Sequence, residues 1–204
     1  MSKICTNCGA QIADGAGFCP NCGTAAPPDT PAGGSRFCSN CGFPVNAGAT
    51  GNLLVNGNAS DGMTGWNAPD GFWTTDIDYD GVTALDSYYF CTKGFKVSGG
   101  SSRMYQDVNI SAYAGRYASL STDLRAFRSG HPDEMMGIEF LNAGGTVIES
   151  YETQKESGNS EWHLEGLTVT IPSGAVTARV SLYTFYKSGS ESDAYYDNVS
   201  FTID

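Results

Sequence analysis

The chain has 204 residues, of which 40% are hydrophobic and 12% aromatic, and its formal net charge at pH 7 is −11. This surplus of acids repels a phosphate backbone, so nucleic acid is excluded as a general partner. No apolar run reaches the ~18 residues that a membrane-spanning helix needs, and no apolar secretory segment follows Met1. We therefore predict a cytoplasmic protein with no membrane partner.

Two parts of different composition meet near residue 50. Six of the seven cysteines lie in the first 41 residues, whereas all three tryptophans lie after residue 50. A stretch rich in Pro, Ala and Gly separates the second and third cysteine pairs and is typical of a flexible linker. The predicted segments are a cysteine-rich module at residues 3–24, a linker at 25–35, half of such a module at 36–50, and a β-rich domain at 51–204.

The strongest motif is Cys5-x2-Cys8 followed by Cys19-x2-Cys22. Two such pairs offer four thiolates to one tetrahedral zinc ion, and the metal stabilises a segment too short to fold unaided. A disulfide scaffold is the alternative, but it requires a secretory context. Residues 3–24 resemble the short zinc ribbons at the N-termini of many bacterial proteins. That resemblance implies a closed, structural zinc site that docks a protein partner.

A third pair, Cys38 and Cys41, is half of such a ribbon. Alignment of Cys41 with Cys8 places Asn52 where Cys19 would stand, so the second ligand pair is missing. Three alternatives remain open at this stage. The pair shares a zinc ion with the same pair of a second chain, it recruits His131 or His163, or it is a remnant with free thiols.

The second part is predicted to consist of strands. Residues 103–110 and 116–127 alternate between apolar and polar side chains, and residues 135–141 and 146–153 flank a Gly-containing turn typical of a hairpin. No amphipathic helix longer than two turns is predicted. Many short strands separated by turn residues favour an all-β sandwich or jelly roll. Further strands are predicted at residues 52–55, 85–91, 167–171, 176–186 and 195–203.

The segment from Asn52 to Trp66 is a distinctive opening for this domain, and short matches follow it as far as Tyr195-Tyr-Asp-Asn-Val199. Together they resemble the galactose-binding-like jelly rolls, notably bacterial carbohydrate-binding modules and the sugar-binding domain of F-box proteins. The resemblance spans nearly all of residues 52–204. It implies an all-β jelly-roll sandwich behind the small zinc ribbon, with an oligo- or polysaccharide as ligand. We expect Trp66 to pack in the core against the short apolar strand that contains Leu53 and Leu54.

The same resemblance implies a structural calcium ion between the opening turn and the last strand. The matching positions are Asn58, Ser60 and Asp197, and Ser60 replaces the usual acidic residue. Calcium prefers several oxygen ligands that include carboxylates, so Asp61 is the candidate replacement. The expected calcium set is therefore Asn58, Asp61 and Asp197.

Sugar rings stack on exposed aromatic rings, while charged and amide groups bond their hydroxyls. We expect Trp73, in a segment that looks like a loop, to be the best exposed tryptophan. Other candidates lie on the polar sides of predicted strands, although aromatic residues also favour strands for packing alone. The candidate sugar-binding residues are Trp73, Tyr105, Asp107, Tyr117, Asp123, Arg125 and Tyr183.

No catalytic motif is recognisable, and residues 131–134 are predicted to form a solvated turn rather than an acid–base pair. We therefore predict a protein that is not an enzyme. The favoured hypothesis is a carbohydrate-binding module behind a zinc ribbon. The alternative is a structural or protein-interaction scaffold whose jelly roll does not bind sugar and whose ribbon docks a partner.

Overall fold

A computed structural model describes residues 3–4, 11–12, 36–37, 44–45, 50–97, 99–127, 133–154, 156–157, 159–186 and 193–204. The chain divides into two compact units, Met1–Gly48 and Ala49–Asp204. The described residues form strands and no helix, so none of them belongs to a helix long and apolar enough to cross a membrane. Cys5, Cys8, Cys19, Cys22, Cys38 and Cys41 lie outside the described residues.

The first unit contains two small antiparallel pairs of strands. Strand β1 (Lys3–Ile4) pairs with β2 (Gln11–Ile12), and Lys3 lies opposite Ile12. Strand β3 (Arg36–Phe37) pairs with β4 (Pro44–Val45), and Arg36 lies opposite Val45. Each pair flanks one Cys-x2-Cys motif in the sequence.

The second unit is the predicted β-sandwich. Its strands pair antiparallel, and consecutive hydrogen-bonded neighbours often lie far apart in the chain, as in jelly-roll topologies. The strands are β5 (Trp73–Asp76), β6 (Asp78–Tyr79), β7 (Val82–Thr83), β8 (Tyr89–Thr92), β9 (Ser101–Asn109), β10 (Tyr117–Ala126), β11 (Asp133–Leu141), β12 (Val147–Glu152), β13 (Glu156–Ser157), β14 (His163–Thr170), β15 (Thr177–Phe185) and β16 (Ala194–Ile203).

Two sheets form the sandwich. The first sheet has the order β14-β10-β16-β8-β5, and the second has the order β12-β11-β15-β9 with β13 also pairing with β11. Strands β9 and β10 alternate between buried and more exposed residues, as predicted. The buried residues of each sheet meet in one core, which includes Phe90, Met104, Leu124, Phe140 and Phe201.

The opening segment is fixed to the core but does not form the strand predicted at residues 52–55. Leu53 N donates to Phe201 O at 2.8 Å, and the Asn52 side chain adds two further bonds: its Nδ2 donates to Val199 O at 2.9 Å and its Oδ1 accepts from Phe201 N at 2.9 Å. Gln106 binds both backbone groups of Val55, at 2.7 and 3.0 Å. Trp66 is buried beside Phe90, which confirms its predicted place in the core.

A second apolar cluster covers part of the outer face of the first sheet. Tyr89, Cys91 and Tyr195 point away from the main core and pack with Val82 of the small β6–β7 hairpin. The Tyr89 hydroxyl accepts from Tyr79 N at 2.6 Å and donates to Val82 O at 2.8 Å, which fixes that hairpin to the sheet. Burial raises the pKa of the Cys91 thiol to about 12, as suits a small apolar core residue.

Candidate functional site

The candidate site lies on the outer face of the second sheet, where three strands present polar and aromatic side chains. On β9, Met104 and Gln106 are buried. Side chains alternate along a strand, so Arg103, Tyr105 and Asp107 point outward. Strand β15 follows the same alternation except at Ser181, which is buried. We call this surface the Tyr183 face, and its residues are Arg103, Tyr105, Asp107, Gly137, Glu139, Arg179, Ser181, Tyr183 and Phe185.

Strand register arranges these residues in rows across the sheet. One row contains Met135, Tyr183 and Arg103, the next contains Gly137, Ser181 and Tyr105, and the third aligns Glu139, Arg179 and Asp107. The middle row has only a glycine and a serine on β11 and β15. The centre of the face is therefore lower than the rows on either side.

Two ion pairs fix the polar groups of the face. Arg179 donates two hydrogen bonds to Asp107, at 2.8 and 2.9 Å. This bonding raises the pKa of Arg179 above its usual value, so the guanidinium stays charged. Arg103 donates to Glu139 at 3.1 Å. Such partly exposed pairs add little stability, but they hold donors and acceptors in defined positions.

The Arg103–Glu139 pair crosses the face diagonally. Its two residues belong to the outer two rows, so the bridge passes over the middle row. Beneath it Ser181 has no exposed surface, and its hydroxyl has no hydrogen-bond partner among the described residues. A buried hydroxyl without a partner is uncommon, and it leaves one unused donor and acceptor at the floor of the face.

The aromatic rings of the face have two different roles. The Tyr105 ring lies 4.3 Å from the Arg179 guanidinium and 5.1 Å from that of Arg103, so both cations pack on it. The Tyr183 ring stacks with Phe185 at a centroid distance of 6.1 Å and an angle of 19° between planes. Tyr105 therefore supports both arginines. Tyr183 forms a flat aromatic surface with Phe185 and also lies 5.9 Å from the Arg103 guanidinium.

Three predicted sugar-binding residues belong to the other sheet. Tyr117, Asp123 and Arg125 point outward from β10, on the face of the sandwich opposite the Tyr183 face. Asp123 accepts from Asn198 Nδ2 at 3.1 Å, and Arg125 lies 5.9 Å from the Trp162 ring. The predicted set is thus divided between two surfaces, because alternation along a strand does not specify which sheet the strand joins.

Trp73 does not lie at the surface, so the expectation of an exposed ring is wrong. The segment that looks like a loop forms β5, which pairs with β8. The Trp73 side chain is only 6% exposed, and its Nε1 donates to Ser102 Oγ at 2.7 Å inside the sandwich. Its ring also packs near Tyr196.

The expected calcium set of Asn58, Asp61 and Asp197 stays a prediction, and the structure shows what two of these side chains bond to without the ion. The Asn58 amide oxygen accepts from the Ser60 hydroxyl and backbone within its own turn. The Asp197 carboxylate is buried, accepts from Asn198 N at 2.7 Å and Leu85 N at 3.3 Å, and has Asp86 and Asp123 as charged neighbours. In the part of the chain that the structure describes, no three His, Cys, Asp or Glu side chains are arranged to hold a metal ion.

Sequence reasoning missed two acids. Glu139 anchors the bridge over Ser181, and only the pairing of β11 with β15 reveals its position on the face. Glu134 was expected in a solvated turn, yet it lies in β11 and is fully buried. The pKa of Tyr196 is far above its usual value, mainly because Tyr196 is buried and secondly because of the charge of Glu134. The turn prediction is therefore wrong for this residue.

The comparison with protein families matches residues 4–25 to the zinc-ribbon domain. This confirms the resemblance of the N-terminal segment, and such a domain implies structural zinc. The match covers the four cysteines Cys5, Cys8, Cys19 and Cys22, and it ends before the third pair. A comparison with curated protein sequences finds no match.

Solved structures share the sandwich fold. The enzymatically active domain of bacteriophage CBA120 tailspike protein 4 is 19% identical with a TM-score of 0.60, over 75% of this chain and 21% of that one. The CBM22-1–GH10 modules of Clostridium thermocellum xylanase 10B, complexed with xylohexaose, are 14% identical with a TM-score of 0.52. The match covers 76% of this chain and 29% of that one. An apo cyclase from Fischerella is 11% identical with a TM-score of 0.57, and the match covers 78% of this chain and 98% of that one.

The chain thus spans less than a third of the tailspike and xylanase structures and nearly all of the cyclase. At these identities the likeness concerns the fold alone. It confirms the predicted β-sandwich, in a group of folds that includes a carbohydrate-binding module as well as enzymes.

Proposed function

We propose that the second unit binds an oligo- or polysaccharide on the Tyr183 face without transforming it. The observation that carries this proposal is a stacked Tyr183–Phe185 pair beside two oriented ion pairs. The apolar face of a sugar ring packs on such an aromatic surface. Fixed guanidinium and carboxylate groups then bond the hydroxyls around the ring.

The comparisons support this proposal at the level of fold. One similar structure contains a module of the CBM22 class complexed with xylohexaose, which makes xylo-oligosaccharides sensible first ligands. The absence of catalysis is part of the proposal. The charged groups of the Tyr183 face are paired with one another, as suits recognition more than proton transfer.

The zinc ribbon supplies the second part of the proposed function. Cys5, Cys8, Cys19 and Cys22 hold one structural zinc ion, and the folded ribbon docks a protein partner. Because zinc thiolates need a reducing environment, we place the protein in the cytoplasm. The proposed ligand is then a glycan that this compartment contains.

A glycan array with the full chain tests sugar binding. We expect selective binding to one sugar class, at least tenfold weaker after Tyr183→Ala because the stacking surface is lost. Arg103→Gln removes the charge of the bridge and should also weaken binding. Tyr117→Ala is the matched control, since that ring is 58% exposed on the opposite sheet.

Two results would count against the proposal. If Tyr117→Ala weakens binding and Tyr183→Ala does not, the ligand site lies on the other sheet. If the folded protein binds no glycan, the scaffold hypothesis takes its place, and the ribbon's protein partner becomes the functional ligand.

A further inference from the structure

The third cysteine pair is flanked by the same hairpin as the first. The hairpin β1–β2 corresponds position by position to the hairpin β3–β4. Lys3 lies opposite Ile12 and Ile4 opposite Gln11, just as Arg36 lies opposite Val45 and Phe37 opposite Pro44. Cys5 and Cys8 stand in the sequence where Cys38 and Cys41 stand in the second hairpin. The second hairpin thus repeats the half of a zinc ribbon that supplies the first two thiolates.

The chain after this hairpin cannot supply the other half. By the same correspondence, Asn52 and Val55 stand where Cys19 and Cys22 complete the first ribbon. Both are committed to the sandwich: the Asn52 amide bonds to Val199 and Phe201, and the Val55 backbone is bound by Gln106. These positions hold the opening of the jelly roll together and leave Cys38 and Cys41 without a second pair in sequence.

Other ligands in the described residues are unsuitable. Cys91 is fully buried in the second cluster of the sandwich. The imidazole of His163 contacts Glu161 O through Nδ1 at 3.1 Å, and its Nε2 is buried. Neither the Cys91 thiol nor His163 Nε2 is exposed, so neither can reach a zinc ion without a rearrangement of the sandwich. His131 lies outside the described residues. A single histidine would give Cys38 and Cys41 only three ligands, one fewer than a closed tetrahedral zinc site takes, so we compare a shared site with free thiols.

The number of cysteines, compared with the four ligands that one zinc ion takes, favours the shared site. The first 41 residues contain six cysteines, and a structural zinc ion of this type takes four. One chain therefore fills one site and leaves two thiolates over, whereas two chains have enough for three complete sites.

We propose that Cys38 and Cys41 of two copies of this chain bind one zinc ion between them and so join the chains as a dimer. Four thiols lose their protons to solvent as the ion binds, and the resulting tetrathiolate site is closed. No oxidation or reduction is involved. The site depends on neither sugar binding nor the Tyr183 face.

Zinc content and molecular mass of the full chain test the proposal. Wild-type protein, purified in zinc with a reductant, is expected to contain about one and a half zinc ions per chain and to have the mass of a dimer by light scattering. The Cys38→Ser/Cys41→Ser variant is expected to contain about one zinc ion per chain and to be monomeric. Its remaining zinc shows that the first ribbon is intact.

Ser39→Ala is the matched control, because it changes the same hairpin without removing a thiol, and it should behave as wild type. Two differently tagged copies of the wild-type chain should also co-purify, and should cease to do so after the double substitution. Equal zinc contents in wild type and the double variant, or a mass that the double substitution leaves unchanged, would overturn the proposal.

Discussion

Trp73 shows how a single hydrogen bond determines the role of a residue. Its indole nitrogen bonds to Ser102 inside the sandwich, so the ring joins the two sheets rather than facing a ligand. The sequence around it, with Gly71 before and two threonines after, suggests a loop. The pairing with β8 that makes it a strand is set by residues far along the chain, which local patterns do not reveal.

We predict that Trp73→Phe destabilises the protein without weakening sugar binding. The substitution leaves the buried Ser102 hydroxyl without its donor, at a cost of about 1–3 kcal/mol. Chemical denaturation measures the loss, with Tyr117→Phe as an exposed aromatic control that should change little. A folded Trp73→Phe protein that no longer binds the glycan would show that this ring belongs to the ligand site.

Asp197 gives the protein a distinctive pH dependence. Burial, aided by the charges of Asp86 and Asp123, raises its pKa to about 6, although backbone hydrogen bonds oppose the shift. The usual value for Asp is about 3.9. The folded state therefore binds a proton more readily than the unfolded state, and protonation favours folding.

The contribution of Asp197 to the free energy of unfolding should therefore increase as pH falls from 7 towards 4. Its limit is on the order of 2–3 kcal/mol. Asn cannot titrate, so Asp197→Asn removes this contribution, and the difference between wild type and variant isolates it. Urea denaturation at pH 7, 6 and 5 measures the difference. A difference that does not change with pH would contradict the assigned pKa shift.

At the scale of the element, Gly137 marks where an edge strand approaches the Tyr183 face. A Cβ atom at this position would lie 2.9 Å from the carbonyl oxygen of Tyr151 and 3.0 Å from Glu152 Cγ. The first contact is to backbone, so strand β12 must shift to admit a side chain. The glycine thus keeps β12 close while it lowers the centre of the face.

Gly137→Ala is expected to destabilise the protein by about 1–3 kcal/mol, as overpacking does. It should also speed hydrogen exchange in β12 and weaken glycan binding. Gly51→Ala is the control, because no atom lies within 4 Å of its added methyl group. If Gly137→Ala behaved like Gly51→Ala in stability, hydrogen exchange and glycan binding, the result would contradict the close approach of β12 to Gly137.

Strand elements could be predicted where alternation is long and regular. The sequence placed β9 and β10 nearly correctly because each alternates over many residues, and it placed the β11–β12 hairpin because a Gly-containing turn joins the two strands. It failed at residues 52–55 and around Trp73, where side-chain hydrogen bonds and distant pairing determine the structure. Alternation reports which side of a strand is buried, and it cannot report which strands are neighbours.

That limit explains what the sequence revealed of the candidate site. Tyr105, Asp107 and Tyr183 were identified individually, and they share one face because β9 pairs with β15. Tyr117, Asp123 and Arg125 were grouped with them, although β10 belongs to the other sheet. Glu139 and the burial of Ser181 beneath its bridge depend on three strands at once, so no local pattern indicates them.

At the scale of the whole molecule, the charge is divided unequally between the two units. The zinc-ribbon unit carries no net charge in its sequence, and the excess of acids belongs to the second unit. If two chains share the Cys38–Cys41 site, each assembly presents two Tyr183 faces. A polysaccharide that reaches both is then bound more tightly than by one face alone.

Chemical-shift mapping tests the sugar-binding account most directly. The isotopically labelled full chain is titrated with the glycan that the array selects, and backbone amide signals are followed. The account predicts the largest changes at Tyr105, Ser181 and Tyr183, with small changes along β10 and β14. Changes confined to β10 and β14, or a spectrum that the glycan leaves unaltered, would contradict it.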